Sequence, residues 1–168
     1  MSRHPYQKRL LKEYQSLSRS QLPGITLVSS DDNLTSYIFQ LCLSNHTLYP
    51  SNYYLSIKIT DEYPVDSPLV KFIKYADISA DLDETRSDDV PTLVIPMHPH
   101  IYSNGHICLN LLGDDWTPAC SIESILLSIQ SMLDTNVLDE RPPDNDNYVS
   151  HAPEDPKRTR FIYHDDNV

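Results

Sequence analysis

The chain has 168 residues and carries 24 acidic against 13 basic side chains, a formal net charge of −11. Thirteen prolines against three glycines leave no GxGxxG fingerprint and no P-loop, which excludes the usual nucleotide-binding domains. The length suits one domain able to bury a real core, and the acidity argues for a basic partner and against nucleic acid or an anionic membrane.

The first fifteen residues, MSRHPYQKRLLKEYQ, lack the apolar centre of a signal peptide. Nowhere does the chain approach the ~20 apolar residues of a membrane span. Residues 6–19 read instead as an amphipathic helix: Tyr6, Leu10, Tyr14 and Leu17 recur at helical spacing, with Lys8, Arg9 and Lys12 on other faces. Pro5 precedes it and the Leu22-Pro23-Gly24 turn ends it. Three strands follow. Tyr37, Phe39, Leu41 and Leu43 alternate with smaller or polar residues, as do Tyr53, Leu55, Ile57 and Ile59, and 69–75 is a third, shorter run. Closely spaced strands after a helix predict an α+β domain in which an antiparallel meander packs one face on a helix.

Asp77 to Val90 holds six acids against Arg86 and reads as a solvated, mobile loop. Residues 91–120 show no long period. Ser121 to Leu133 is the best helix, with Ser121 as N-cap, Glu123 in the first turn, and Ile122, Ile125, Leu126, Ile129 and Leu133 as a core stripe. Pro142 and Pro143 stop any helix there, and the polar tail beyond ends in basic Lys157 to Arg160 and aromatic Phe161 and Tyr163.

Three cysteines without a CxxC argue against a disulfide framework, so the expected compartment is cytosol or nucleus, where the sequons at Asn33 and Asn45 carry no weight. Three readings compete for the segment from His98 to Cys108. His98, His100, His106 and Cys108 are all zinc-ligand types, although H-x-H…H-x-C matches no common zinc spacing. A Cys–His nucleophile pair is a second reading, with no evident orienting group. In the third, Cys108 is a small buried hydrophobe and the histidines satisfy turn hydrogen bonds.

The series as a whole goes further. Tyr63-Pro64-x-x-x-Pro68, His98-Pro99-His100, Asn104-Gly105-x-Ile107-Cys108-Leu109 and Trp116-Thr117-Pro118-Ala119 stand ahead of a long apolar helix. This series resembles the ubiquitin-conjugating enzymes, which carry Y-P-x-x-P-P, H-P-N, N-G-x-I-C-L and W-S-P-A in that order. Cys108 lies eight positions after His100 and Trp116 eight positions after Cys108, as in the family, and the match covers about residues 6–140. His100 stands where the family has asparagine. Together with Arg141-Pro142-Pro143-Asp144-Asn145 and the Tyr163-His164-Asp165-Asp166 ending, this is similar to the W-type branch, although the acidic insert is longer. Members of that branch pass ubiquitin to the α-amino group of a flexible N-terminus.

The resemblance implies a ubiquitin-conjugating (UBC-like) fold: N-terminal helix, four-stranded antiparallel meander and central helix. The core would span 4–145, with an atypical C-terminal segment, expected to be flexible, over 146–168. Cys108 would accept ubiquitin as a thioester from the activating enzyme, on an exposed turn made by Asn104-Gly105. His100 would serve the oxyanion or proton transfer, since imidazole can donate a hydrogen bond or accept a proton. Lys8, Arg9 and Lys12 match where the family meets its activating enzyme, and Val65, Pro118 and Ala119 where it meets RING-type ligases. Trp116 is expected to anchor structure. Glu140, with Asp139 beside it, falls where the family places an acid for lysine acceptors, though a solvated surface acid is the competing reading. The implied acceptor suits α-amine chemistry, since at pH 7 roughly a tenth of an α-amine is neutral against about 0.04% of a lysine. No metal and no cofactor are expected, because ATP is consumed by the upstream enzyme. Lysine acceptors, another ubiquitin-like passenger and a non-catalytic interaction module are the alternatives.

Overall fold

The computed structural model describes residues 3–74 and 94–158. The acidic insert lies outside the described residues, as do 159–168.

Helix α1 spans Gln7–Arg19 and buries Leu10, as its period predicts. Four strands follow in chain order: β1 (Ile25–Ser30), β2 (Ser36–Cys42), β3 (Asn52–Lys58) and β4 (Leu69–Ile73). They form an antiparallel sheet in the order β1-β2-β3-β4, a simple meander. The sequence locates β2, β3 and β4; the fourth strand of the expected meander is β1. No clean alternation marks it. All six of its residues are exposed or half-exposed, and a register shift between Leu27 and Ser29 interrupts the two-residue period.

Alternation in the other strands has the expected consequence. Tyr37, Phe39, Leu41, Leu55, Ile57, Val70 and Phe72 are almost fully buried on one face of the sheet. They join one apolar cluster with Ile122, Ile125, Leu126, Ile129 and Leu133 of helix α2 (Ile122–Asp134). Ser121 caps α2 as expected: its hydroxyl accepts from the Ser124 amide while the Ser124 hydroxyl accepts from the Ser121 amide, each at 3.2 Å. At the far end the Asp134 carboxylate accepts from the amides of Ser44 (2.9 Å) and Asn45 (3.2 Å), which fixes α2 to the turn after β2.

Beyond the Pro142-Pro143 break a short third helix, α3 (Asn145–His151), straddles the boundary expected at 145. Ahead of it the Arg141 guanidinium donates to the carbonyls of Ile95 (2.9 Å), Pro96 (2.5 Å) and Ile101 (3.1 Å). The chain is thereby turned back towards the segment that contains Cys108.

Candidate active site

Residues 100–108 form a tight antiparallel hairpin. Ile101 bridges Ile107, the Tyr102 amide donates to the His106 carbonyl (2.9 Å), and the Cys108 amide donates to the His100 carbonyl (2.8 Å). Asn104 and Gly105 make the tip: Gly105 has φ +92°, and the Asn104 side chain accepts from the His106 amide at 3.1 Å. The Phe72 amide donates to the Gly105 carbonyl at 2.9 Å, pinning that tip to β4.

Because side chains alternate along paired strands, this register sorts the hairpin into two faces. Ile101 and Ile107 point to the core and are 0% and 1% exposed. His100, Tyr102, His106 and Cys108 therefore share the opposite face, with His100 directly across from Cys108. Four residues with chemical capability are gathered on one side of nine residues of chain.

His98, at the base of the hairpin, is part of its frame. Its Nδ1 accepts from the His100 amide at 2.9 Å and its Nε2 donates to the Met132 carbonyl at 3.2 Å. Only the neutral Nε2–H tautomer makes both bonds. Burial, with His100 nearby, lowers its pKa to about 4. A depressed base stabilises the fold above its unfolded pKa of 6.5 and loses that contribution as pH falls through the folded value. A shift of this size corresponds to about 3 kcal/mol. Urea unfolding from pH 8 to 4 should therefore show stability declining below pH 6.5, with a shallower decline in His98→Gln; equal slopes would remove this role.

His106 is also engaged at both nitrogens. Its Nε2 donates to the Glu154 carbonyl (3.1 Å), Nδ1 accepts from the Tyr148 hydroxyl (2.7 Å), and burial lowers its pKa. The zinc reading thus loses two of its four candidate ligands to hydrogen bonds. Tyr102 donates to the Asp144 carboxylate at 3.1 Å, and its ring stacks on that of Tyr148 with centroids 3.8 Å apart. Burial first, then the Asp144 carboxylate that accepts its hydrogen bond, push the Tyr102 phenol up.

Cys108 corrects one expectation. It does sit just after the Asn-Gly turn, yet it is only 5% exposed, not open to solvent. A turn motif reports local geometry, whereas here the C-terminal chain returns over the hairpin's outer face, with Asp144 and Tyr148 on Tyr102 and Tyr148 on His106.

The family model for "Ubiquitin-conjugating enzyme" matches residues 9–161. The chain belongs to the ubiquitin-conjugating enzymes. Among curated relatives, "Probable ubiquitin-conjugating enzyme E2 W-A" of Danio rerio is 39% identical over 163 residues, covering 95% of this chain and 96% of that one. "Ubiquitin-conjugating enzyme E2 W" of Caenorhabditis elegans is 38% identical over 165 residues, covering 96% of each. Among solved structures, the ubiquitin-conjugating enzyme UbcA1 of Agrocybe aegerita superposes with a TM-score of 0.73 at 34% identity, covering 90% of this chain and 98% of that one. The expected family and its α+β fold are thus both met, and enzymes of this family are transferases that work with ubiquitin, activating enzymes and ligases.

In this enzyme the residues expected to meet partners fall into two groups. Lys8 and Lys12 are exposed on α1, Val65 is 67% exposed, and Pro118 and Ala119 lie open on the loop before α2. Arg9 instead points inward. Its guanidinium donates to the Glu13 carboxylate (3.0 Å) and to the carbonyls of Pro118 (2.8 Å) and Cys120 (2.6 Å). Glu13, only 9% exposed, also accepts from the Tyr63 hydroxyl (2.5 Å) and from the Ile122 amide at the start of α2 (2.9 Å). One carboxylate thus joins α1, the Tyr63–Pro68 loop and α2, and through Arg9 the 117–120 loop. Trp116 is a structural anchor, its indole N–H donating to the Pro64 carbonyl at 2.9 Å. Sequence reading misses Glu13, whose only local signal is its spacing of four from Arg9. It also misses Asp144, the carboxylate that reaches this hairpin face; Asp139 acts electrostatically on Tyr49, Tyr53 and Arg141 instead.

Proposed function

We propose that this enzyme carries ubiquitin as a thioester on Cys108 and passes it to the α-amino groups of substrate N-termini. What carries the reading is the hairpin register, which sets Cys108 opposite His100 on a face turned away from the core. In the first step the Cys108 sulfur attacks the ubiquitin carbonyl held by the activating enzyme; a new C–S bond forms and the old sulfur leaves as thiolate. In the second an amine attacks that carbonyl, C–N forms, C–S breaks, and the electron pair returns to Cys108. A thiolate suits both roles, as nucleophile and as leaving group. His100, half-exposed across from the sulfur, serves the oxyanion or takes the amine's proton.

Around this centre the proposal assigns Lys8 and Lys12 to the activating enzyme and Val65, Pro118 and Ala119 to RING-type ligases, with Arg9 holding Pro118 in place. It takes 4–145 as the conjugating core and 146–168 as an appended segment. It requires no metal or cofactor, nucleic acid or membrane, and places the enzyme in cytoplasm, nucleus or both. No described helix is long and apolar enough to cross a membrane. Its support is the sequence match to the W-type branch and the W-named relatives.

Incubation with activating enzyme, ATP and ubiquitin should give a reductant-sensitive adduct that Cys108→Ala abolishes; an adduct that survives the substitution would end the reading. For the acceptor, a lysine-free peptide with a free N-terminus should discharge the adduct faster than an N-acetylated peptide containing lysine. The reverse preference would assign lysine as acceptor.

A further inference from the structure

The nucleophile proposed above must meet a whole protein, yet its hairpin face is closed: Cys108 is 5%, Tyr102 1% and His106 2% exposed. Among the described residues, the segment from Asp144 to Arg158 lies on two of these side chains, Tyr102 and His106, the latter two positions from Cys108. Two consecutive side chains dock its start, Asp144 on the Tyr102 hydroxyl and Asn145 on the Ser103 amide at 2.8 Å. Asp144 occupies the N-cap position of α3 but makes no capping bond, because its carboxylate is turned to the hairpin. Tyr148 then stacks on Tyr102 and bonds His106, and the Glu154 carbonyl takes the other His106 nitrogen. Finally Lys157 donates to the Ser67 carbonyl and pairs with Asp66 at 2.9 Å, on the loop that carries Val65.

These attachments are of a kind that can release. Helix α3 has seven residues, none of them buried, and no side-chain cap, so nothing in it belongs to the core. A helix this short is not stable by itself and holds its shape only while docked. The segment is held by hydrogen bonds, one ring stack and one ion pair, and Pro156 is the one buried residue from 144 to 158, in contrast to the apolar packing beneath the hairpin.

We propose that the segment from Asp144 to Arg158 is an autoinhibitory strap that closes the Cys108 face and must lift before the thiol can react. Tyr148 is its principal latch, and Lys157 is a second fastening on the Val65 loop. A ligand bound at that loop competes with Lys157 for Asp66 and the Ser67 carbonyl, so the far end of the strap is placed to sense it. The inference rests on the thioester reading for its biological meaning, but the closure itself is a property of the chain alone.

A small neutral haloacetamide therefore tests it without ubiquitin or activating enzyme. Alkylation of each cysteine is followed by peptide mass spectrometry, with exposed Cys42 as internal reference. Loss of the ring stack on buried Tyr102 and of a hydrogen bond predicts that Tyr148→Ala raises the Cys108 rate about tenfold or more. Cys42 should be unchanged, and Tyr148→Phe, which keeps the stack, should give a smaller rise. A rate–pH profile separates opening from tuning of the thiol: release of a strap raises the plateau and leaves the midpoint in place. Equal Cys108 rates in parent and Tyr148→Ala, a parallel rise at Cys42, or a shifted midpoint with an unchanged plateau would each overturn the proposal. Should Cys108 open as expected but no thioester form, the strap stands and the thioester reading falls.

Discussion

Glu13→Ala is expected to lower the enzyme's unfolding free energy by about 3 kcal/mol, since it orphans several buried partners at once. The Tyr63 hydroxyl and the Ile122 amide belong to fully buried residues, where no water replaces the lost carboxylate. Burial and the charge of Glu13 hold the Tyr63 phenol far above its ordinary pKa, so it remains a donor needing an acceptor. Arg9, whose side chain is 29% exposed, partly rehydrates, and Arg9→Ala should therefore cost less. For a chain of this size the alanine variant's loss corresponds to roughly 6–12 °C in Tm, measurable by calorimetry. Glu13→Gln keeps an acceptor for Ile122 and should recover part of it. A Glu13→Ala protein within about 0.5 kcal/mol of the parent, the range of ordinary surface substitutions, would show that the carboxylate is not a structural hub.

Gly105→Ala is expected to be the most damaging single change to chemistry outside the thiol itself. The residue holds φ at +92°, a region that costs an L-residue about 1–2 kcal/mol. A Cβ there would also overlap the Phe72 carbonyl oxygen and lie 2.9 Å from its carbon, and that carbonyl is backbone in a paired strand with no room to yield. The hairpin tip must then move off β4, carrying the Cys108–His100 register with it. A displacement of about 1 Å at a reacting centre can cost some 100-fold, so thioester formation should fall by about that factor. Gly105→Asn divides the two causes. Asparagine tolerates positive φ, so partial recovery would blame the dihedral, whereas equal loss would blame the Phe72 contact. Charging by Gly105→Ala within threefold of the parent would contradict this account of the tip.

What could be read from the sequence follows the range over which its signals act. Helix α1, strands β2 to β4 and the capped helix α2 announce themselves through residues three, four or two apart, and all are found where expected. Six of the 13 prolines lie between Pro64 and Pro118, where long stretches show no period, and motif order there carried the family assignment. Strand β1 is silent because a bulge breaks its alternation and neither face is fully covered. The covering of Tyr102 and His106, on the same face as Cys108, is silent for a different reason: Tyr102 meets Asp144, and His106 meets Tyr148, across 42 positions of chain. Glu13 is similar, reaching the Ile122 amide across 109. No local period encodes such meetings. An arginine on the polar edge of α1 likewise looks available for a partner until the fold shows the carbonyls it holds.

The two-faced hairpin places a parity rule on this part of the chain. Because Ile101 pairs with Ile107, these two look into the core, while His100, Tyr102, His106 and Cys108 look away from it. Inserting or deleting a single residue between Ile101 and Ile107 would disturb more than one contact. It would turn one arm by half a pleat, presenting an isoleucine to the outside and driving the thiol into the apolar interior. Chemistry asks only for a sulfur and an imidazole; counting decides which way they look. The eight-residue step from His100 to Cys108 is therefore a constraint on length as strict as any on residue type.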